Sequence, residues 1–518
     1  MKLSPLEPGA PATPAKARVQ LGPRGIPAAT GRGTRAAWAI RAFASAATGL
    51  LLAGCGSSPS QPQATPASDR DAPNGSGTSV MSPGGSAARP GTAPAGDPTA
   101  APVAGPTFWQ DVAPLLNQKC VGCHQAGGIA PFPLDNYADA RTRANQMAAL
   151  TAARIMPPYL METGGDCGSF DESRALSDAQ IELISDWVAG GTPEGSAAQL
   201  SAPELPTLAN AGEWRTPNFT PEIQGGTLAE FDEYRCFRVD LGLAADTWIT
   251  GSEVLPGNAE MVHHVIGMIV DPLAQTPNGT NDEIMQALDD ESPEREGWPC
   301  FGAAGESVSV ESEPVLWAPG TGAVTYPNGL GVRVRQGRQL VVQVHYNLAD
   351  PTLRGQTDQT ALRLQFADDV ERQAFFLPED KFLDTVYDAQ PAELAPGRSA
   401  VPYTWSESVG EIIGASLPIA LELVQVSPHM HQRGRTWTLE LGSGGDFECI
   451  GRINRWDFNW QAGYTYTAPP QLLSNSELRL TCEYDTSADT EPVLPGWGTR
   501  NEMCLVTMMI ALPPGIRF

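Results

Sequence analysis

The sequence predicts a multidomain chain: a small all-α domain followed by two antiparallel, jelly-roll-like β-sandwich domains. Three observations predict it. The length, 518 residues, is about three times that of a typical domain. Apolar residues at helical spacing gather in one stretch, from Phe108 to about Glu194,. From about Leu205 onward the chain breaks into short alternating or apolar runs parted by Gly, Pro, Asn and Asp, and this tract is too long for one sandwich,. With 41% apolar residues there is material for cores, so global disorder is excluded,. The formal charge of −26, from 33 basic and 59 acidic residues, argues against nucleic acid as a partner, because phosphate must be met by Lys and Arg.

The first element, residues 1–54, reads as an export leader. Lys2, Lys16, Arg18, Arg24, Arg32, Arg35 and Arg41 stand against a single acid, Glu7, and an apolar run of small residues follows from Ala42 to Gly54. That run is too short to span a bilayer but suits a signal-peptide core. It ends in Leu52-Ala53-Gly54-Cys55, which resembles a bacterial lipobox, so Cys55 is the expected lipidation site and new N-terminus. The mature chain is then exported and meets the membrane through its lipid anchor alone. Gly56, where Asp is absent, points to the outer membrane of a two-membrane cell envelope. Residues 55–106 are mostly Ser, Pro, Gly, Ala, Thr and Asp, have little to bury, and read as a flexible tether,.

The α domain is expected over 107–200. Phe108-Trp109-Gln110-Asp111-Val112-Ala113-Pro114-Leu115-Leu116 begins it and Ile181, Ile184 and Val188 mark its last helix,. Between them stands Cys120-Val121-Gly122-Cys123-His124. C-x-x-C-H reads as covalent c-type haem attachment, with Cys120 and Cys123 forming thioethers and His124 supplying an axial nitrogen. The competing reading is a redox C-x-x-C beside an incidental His. Met156, in Met156-Pro157-Pro158, is the expected second axial ligand, held on a stiff extended loop,. Met147 and Met161 are nearby competitors for that role but read more readily as core filler,. The segment is similar to small cytochrome c-like modules of exported bacterial proteins, which implies electron transfer, since iron with two axial ligands has no open position.

The β tract divides into expected domains at 201–370 and 371–518. Its strand candidates include Thr247–Ile249, Gln339–His345, Ala361–Phe366, Ala420–Val426, Thr436–Leu441 and Leu478–Cys482,. The chain has six histidines. Apart from His124 they fall in three strand-associated groups: His263-His264 before the apolar run Val265–Val270, His345 at the end of Leu340–Val344, and His429-Met430-His431. Spacing i, i+2 puts His429 and His431 on one face of a strand. Imidazole-rich sites without thiolates suit Cu or Zn. Neither cluster has an adjacent carboxylate to activate water, which weighs against a zinc hydrolase.

From about Gly212 to the C-terminus these motifs resemble the copper type II, ascorbate-dependent monooxygenases, the family of peptidylglycine α-hydroxylating and dopamine β-monooxygenases. Val262-His263-His264 and Gln343-Val344-His345-Tyr346 are similar to that family's three-histidine copper site, His429-x-His431 to the pair at its second copper, and Asn501-Glu502-Met503-Cys504 to the segment giving that copper a thioether. The resemblance implies two copper ions, held by His263, His264 and His345 and by His429, His431 and Met503, with the second set catalytic. It implies ascorbate or another electron donor, O₂, and hydroxylation of a small organic substrate. A redox partner protein is a further possible partner, and the upstream haem domain is an expected source of electrons. The resemblance also implies the disulfides Cys236–Cys300 and Cys482–Cys504, leaving Cys167 and Cys449 either paired across domains or free. The peptide-amidating branch has a basic residue two before His-x-His, where this chain has Ser427, so a peptide C-terminus is not the expected substrate. Arg433 and Arg435 can meet an anion, but basic residues after a strand more often form a solvated turn,. The alternative to an enzyme is a non-catalytic redox or copper-handling lipoprotein.

Overall fold

Helices are confined mainly to the first part of the structure. A wide π turn, Phe108–Val112, runs into α1 (Ala113–Lys119); α2 spans Tyr137–Ala152 and α3 Asp178–Ala189. Asn136 caps α2, its side chain accepting the Asp139 N–H, and a reciprocal Ser177–Gln180 capping box opens α3,. Phe108, Val112, Leu116, Ala144, Met147, Ile184 and Trp187 close a core among them. Helix α2 buries mostly small residues on its inner face (Ala140, Ala144), so the sequence carries little apolar stripe to announce it. This is a computed structural model describing residues 105–517 except 126–129, 173, 199–207, 225–230, 301–302, 320, 328 and 415–418. The expected leader 1–54, the lipidation residue Cys55 and nearly all of the expected tether lie outside the described residues.

The remainder is mostly antiparallel β-sheet. Its longer strands are β1 (Ala211–Arg215), β2 (Asp232–Asp240), β3 (Thr247–Leu255), β4 (Val262–Val270), β5 (Ser312–Trp317), β6 (Leu330–Val334), β7 (Gln339–Asn347) and β8 (Ala361–Ala367). They continue with β9 (Arg372–Glu379), β10 (Val401–Ser408), β11 (Leu421–His429), β12 (Gly434–Ser443), β13 (Asp446–Ile453), β14 (Glu477–Tyr484) and β15 (Leu505–Ala511). Each run singled out in the sequence lies within or overlaps one of them. Strand β14 alternates buried and half-buried residues without a break, as a strand with one face on a core must,.

One large sheet, ordered β1-β8-β3-β6-β9-β15-β11, crosses both sandwiches. A short parallel pairing of β6 with β9 (Leu330↔Arg372 to Val332↔Ala374) joins its halves. A sheet containing β2-β7-β4-β5 covers one part, and the sheet β10-β14-β12-β13 covers another. Side chains of β15 divide between two cores: Val506, Met508 and Ile510 join one, Met509 and Ala511 the other. Covered on both faces, this strand is a near-continuous apolar run rather than an alternating one,.

The helical module is strapped to the second sandwich. Met161 and Phe170 are buried in that sandwich's core, Phe170 against Tyr466 with ring centroids 4.3 Å apart. Glu162 N–H donates to Arg452 O (2.8 Å), Asp171 N–H to Thr465 O (2.8 Å) and Thr467 N–H to Ser169 O (2.8 Å). Cys167 and Cys449, left open by the sequence, are disulfide-bonded here. Gly168 has φ +81°, and a Cβ on it would lie 2.3 Å from Ile450 O, so only glycine fits this crossing,. Met147 fills the helical core as expected; Met161 is also core filler, but of the sandwich.

Candidate metal centres

The sequence has His263-His264 preceding a strand; the structure puts both inside β4, at an irregularity. His345 on β7 pairs with His264, while the next residue, Tyr346, pairs with Val262. His263 is therefore the extra residue of a β-bulge. Neighbouring strand residues normally point to opposite faces, and a bulge relaxes that alternation. Both imidazoles thus turn toward His345. His263 Nδ1 lies 3.4 Å from His264 Nδ1, which lies 3.2 Å from His345 Nδ1, and donor atoms of all three fall within 4.8 Å of one another. Metal–imidazole bonds of 2.0–2.1 Å in tetrahedral array separate their nitrogens by about 3.3 Å, so the three nitrogens fit one shared ion.

Burial is the main cause of the imidazole acidities. It holds His263 down to about 4, and His264 and His345 well below the usual histidine value, with neighbouring imidazoles adding to the effect in the last two,. All three are neutral at pH 7, the form that ligates metal. Tyr234 stacks flat on His345, centroids 4.0 Å apart and planes 9° apart.

The second group sits where β11 ends. His429 is the last residue of β11, paired with Leu505 of β15. His431 leaves the ladder, correcting the expectation that both lie on one strand: its N–H donates to Glu502 Oε2 (2.9 Å) instead of to a neighbouring strand. The rings stand 5.1 Å apart and nearly perpendicular. Their Nδ1 atoms are already engaged, His429 with Gln461 Oε1 (2.7 Å) and His431 with Asn501 O (3.0 Å). Such contacts fix the tautomer and leave Nε2 to face a ligand. The β11–β15 register, carried two residues past the strand ends, brings Met503 opposite His431. Met503 is buried, its carbonyl accepts from the Tyr484 hydroxyl (2.7 Å), and the next residue is bonded to Cys482. Burial holds His429 below its usual value and His431 down to about 3.

Phe458 links the groups. Its ring stacks on His263 at 5.0 Å and meets His431 edge-on at 6.0 Å. Buried Glu502 accepts from the backbone N–H groups of both His431 and Arg433 (2.8 Å), and burial pushes its pKa up to about 8 against those donors. Sequence reasoning missed Phe458, Gln461, Tyr234, Asp232, whose Oδ1 lies 3.2 Å from His345 Nε2, and the role of Glu502. Only Glu502 had a signal, its place beside Met503. Arg433 forks onto Asp489 (2.7 and 2.6 Å) and Arg435 pairs with Asp485 (3.1 Å), so both are spent on structure.

In the helical module, Cys120 and Cys123 are the unpaired cysteines among the described residues. They follow α1 on one continuing turn, with His124 N–H donating to Cys120 O (2.8 Å). His124 Nδ1 lies 2.9 Å from Phe132 O, which fixes the tautomer and frees Nε2,. These residues fit thioether and axial ligation of a haem. Met156, half-buried, follows α2 in the segment that leads to the strap. The disulfides Cys236–Cys300 and Cys482–Cys504, implied by resemblance, are both present.

Fold and donor set together define a β-sandwich protein with two imidazole groups facing across one aromatic ring, a donor chemistry suited to copper. Comparison with known proteins agrees. Residues 412–513 match the copper type II ascorbate-dependent monooxygenase C-terminal domain. The chain is 24% identical to DBH-like monooxygenase protein 1 of Homo sapiens over 256 residues, 48% of this chain and 39% of that protein. It is 25% identical to dopamine beta-hydroxylase of Canis lupus familiaris over 194 residues, 36% of this chain and 30% of that one. With tyramine beta-hydroxylase of Caenorhabditis briggsae the identity is 22% over 267 residues, 49% and 40% of the two chains. The matches thus span about two fifths or less of these relatives.

Proposed function

We propose that this chain is a copper-dependent monooxygenase that hydroxylates a C–H bond of a small organic substrate, with electrons supplied through a c-type haem on its helical module. The overall reaction converts R–H, O₂, two electrons and two protons into R–OH and water. The observation that carries the reading is the convergence of three neutral imidazole nitrogens, 3.2 and 3.4 Å apart, facing a second imidazole pair across Phe458.

His263, His264 and His345 hold one copper, and His429, His431 and Met503 the other. Copper at these sites supplies one-electron storage and O₂ activation, the thioether of the second set favouring Cu(I). Gln461 and the Asn501 carbonyl keep the protons of His429 and His431 on Nδ1, which leaves both Nε2 lone pairs available to a metal,. Glu502 clamps the turn from His431 to Arg433, and the Phe458 ring packs against both His263 and His431. On the helical module, Cys120, Cys123, His124 and Met156 hold haem c, which supplies one-electron transfer. The strap between Tyr159 and Asp171 keeps that module on the sandwich bearing His429 and His431. The electrons come from ascorbate or another donor, directly or through a redox protein. Export through the leader and lipid attachment at Cys55 on the cell envelope complete the proposal.

The test is copper and iron per chain in protein purified after export and haem maturation, followed by O₂ uptake with reductant in a substrate screen. Two coppers, one iron and reductant-dependent hydroxylation are expected. One iron with no copper after reconstitution would refute the reading and leave a non-catalytic redox lipoprotein.

A further inference from the structure

Two buried polar atoms beside the first imidazole group have no hydrogen bond, His345 Nε2 and Asp232 Oδ1. They are neighbours, 3.2 Å apart but not aligned as a hydrogen bond. Buried polar groups are rarely left unpaired, so the two ask for a common explanation. The other oxygen of the same carboxylate, Asp232 Oδ2, accepts from the Thr499 hydroxyl. Tyr234, two residues along β2 and stacked on His345, is also hydrogen-bonded to Thr499 through its side chain. Asp232 and Thr499 are both buried.

Thr499 does not belong to the sandwich of β2 and β7. It stands in the segment entering β15, two residues before Asn501, whose carbonyl holds His431 Nδ1. The same segment carries Glu502, which clamps the His431 turn, and Met503. One carboxylate therefore touches His345 of the first group with one oxygen and the backbone support of the second group with the other.

We infer that Asp232, acting through Thr499, is a positioning residue that couples the two metal sites, an inference resting on the reading of both imidazole groups as metal sites. A ligand role for His345 Nδ1 leaves the ring proton on Nε2, which then has an acceptor 3.2 Å away in Asp232 Oδ1,. A small turn of the ring aligns that bond. The carboxylate, held at both oxygens, fixes Thr499 and with it the segment from Asn501 to Met503. Loading of the first site thus prepares the second, and by linkage the reverse holds equally. Metal-free, His345 is free to carry its proton on either nitrogen, and the link is slack.

The experiment is an anaerobic titration of the full chain with Cu(I) against a chromogenic competing chelator. Second-site affinity is compared between the wild type and His264→Ala, which disables the first site, and the pair is repeated in Thr499→Val and Thr499→Ser backgrounds. The expected wild-type ratio is about 5-fold or more, the usual lower range of site-to-site coupling. Thr499→Val should bring it to about one with the first site still loading, and Thr499→Ser, which keeps the hydroxyl, should retain it. Asp232→Asn has a single acceptor oxygen for two partners. It should weaken the first site about 10–100-fold and also abolish the ratio, providing the same reading if Thr499→Val does not fold. A full ratio in Thr499→Val or Asp232→Asn would overturn the inference while leaving both metal sites standing. Failure of either site to take copper in the wild type would instead overturn the metal-site reading, and the inference with it.

Discussion

Replacing Gln461 by Leu should weaken the second metal site selectively. The Gln461 side chain accepts from His429 Nδ1 at 2.7 Å and is itself positioned by donating Nε2–H to Phe458 O at 3.0 Å. Leu has nearly the same volume and cannot accept, so His429 loses the partner that keeps Nε2 unprotonated and aimed at the metal. Losing such an outer partner costs about 10–100-fold in metal affinity, or about 1.4–2.8 kcal/mol. Gln461→Glu should act in the opposite direction, because a carboxylate acceptor makes the imidazole a stronger donor to metal. The assay is competitive Cu(I) titration of the two variants in a Thr499→Val background, where the sites should be uncoupled and the three-histidine site serves as internal control, since no contact of Gln461 with it is present among the described hydrogen bonds. Leu and Glu variants both within about twofold of wild type would refute the reasoning, for then His429 is oriented by packing alone.

Serine at Cys482 and Cys504 should cost about 3 kcal/mol of stability by urea unfolding and should deplete copper from the second site before the first, because the bond adjoins Met503; equal loss from both sites would contradict that role. Phe170→Ala should cost about 3–5 kcal/mol, although Phe170 belongs in sequence to the helical module, because its ring is buried against Tyr466 in the sandwich core. Limited proteolysis should then cut between residues 157 and 172; resistance equal to wild type would show that the strap is held without it. Glu313 on β5 is buried, which pushes its pKa up to about 8. A carboxyl with a raised folded pKa stabilises fully below the unfolded value near 4.5 and loses that contribution as pH rises through about 8. Glu313→Gln should therefore flatten stability between pH 5 and 8 by on the order of 4 kcal/mol relative to wild type, and parallel pH profiles would refute the assignment.

Local chemistry made much of this chain legible from its residues. The period-two run of β14 and the apolar runs of β4 and β7 are imposed by burial on one face or two, and they appear in the sequence as such. C-x-x-C-H and the paired histidines are legible because ligands close in sequence leave a spacing. Helix α2 is not, because its buried face is largely alanine. Nor is the strap, whose Met161 and Phe170 are apolar residues like any other until the sandwich receives them.

By itself, then, the sequence determined the residue types: five imidazoles in three strand-associated clusters, a Met beside a Cys, and two thiols before a histidine. Tertiary structure decided what they face. A bulge turns His263 and His264 to the same side, and the end of the β11 ladder releases His431 to Glu502. Phe458 reaches His263 across nearly two hundred positions of chain, and Asp232 meets Thr499 across 267. The physical reason is that strand spacing constrains only near neighbours. Contacts between distant strands are set by register and by how two sheets pack, and no local pattern records them.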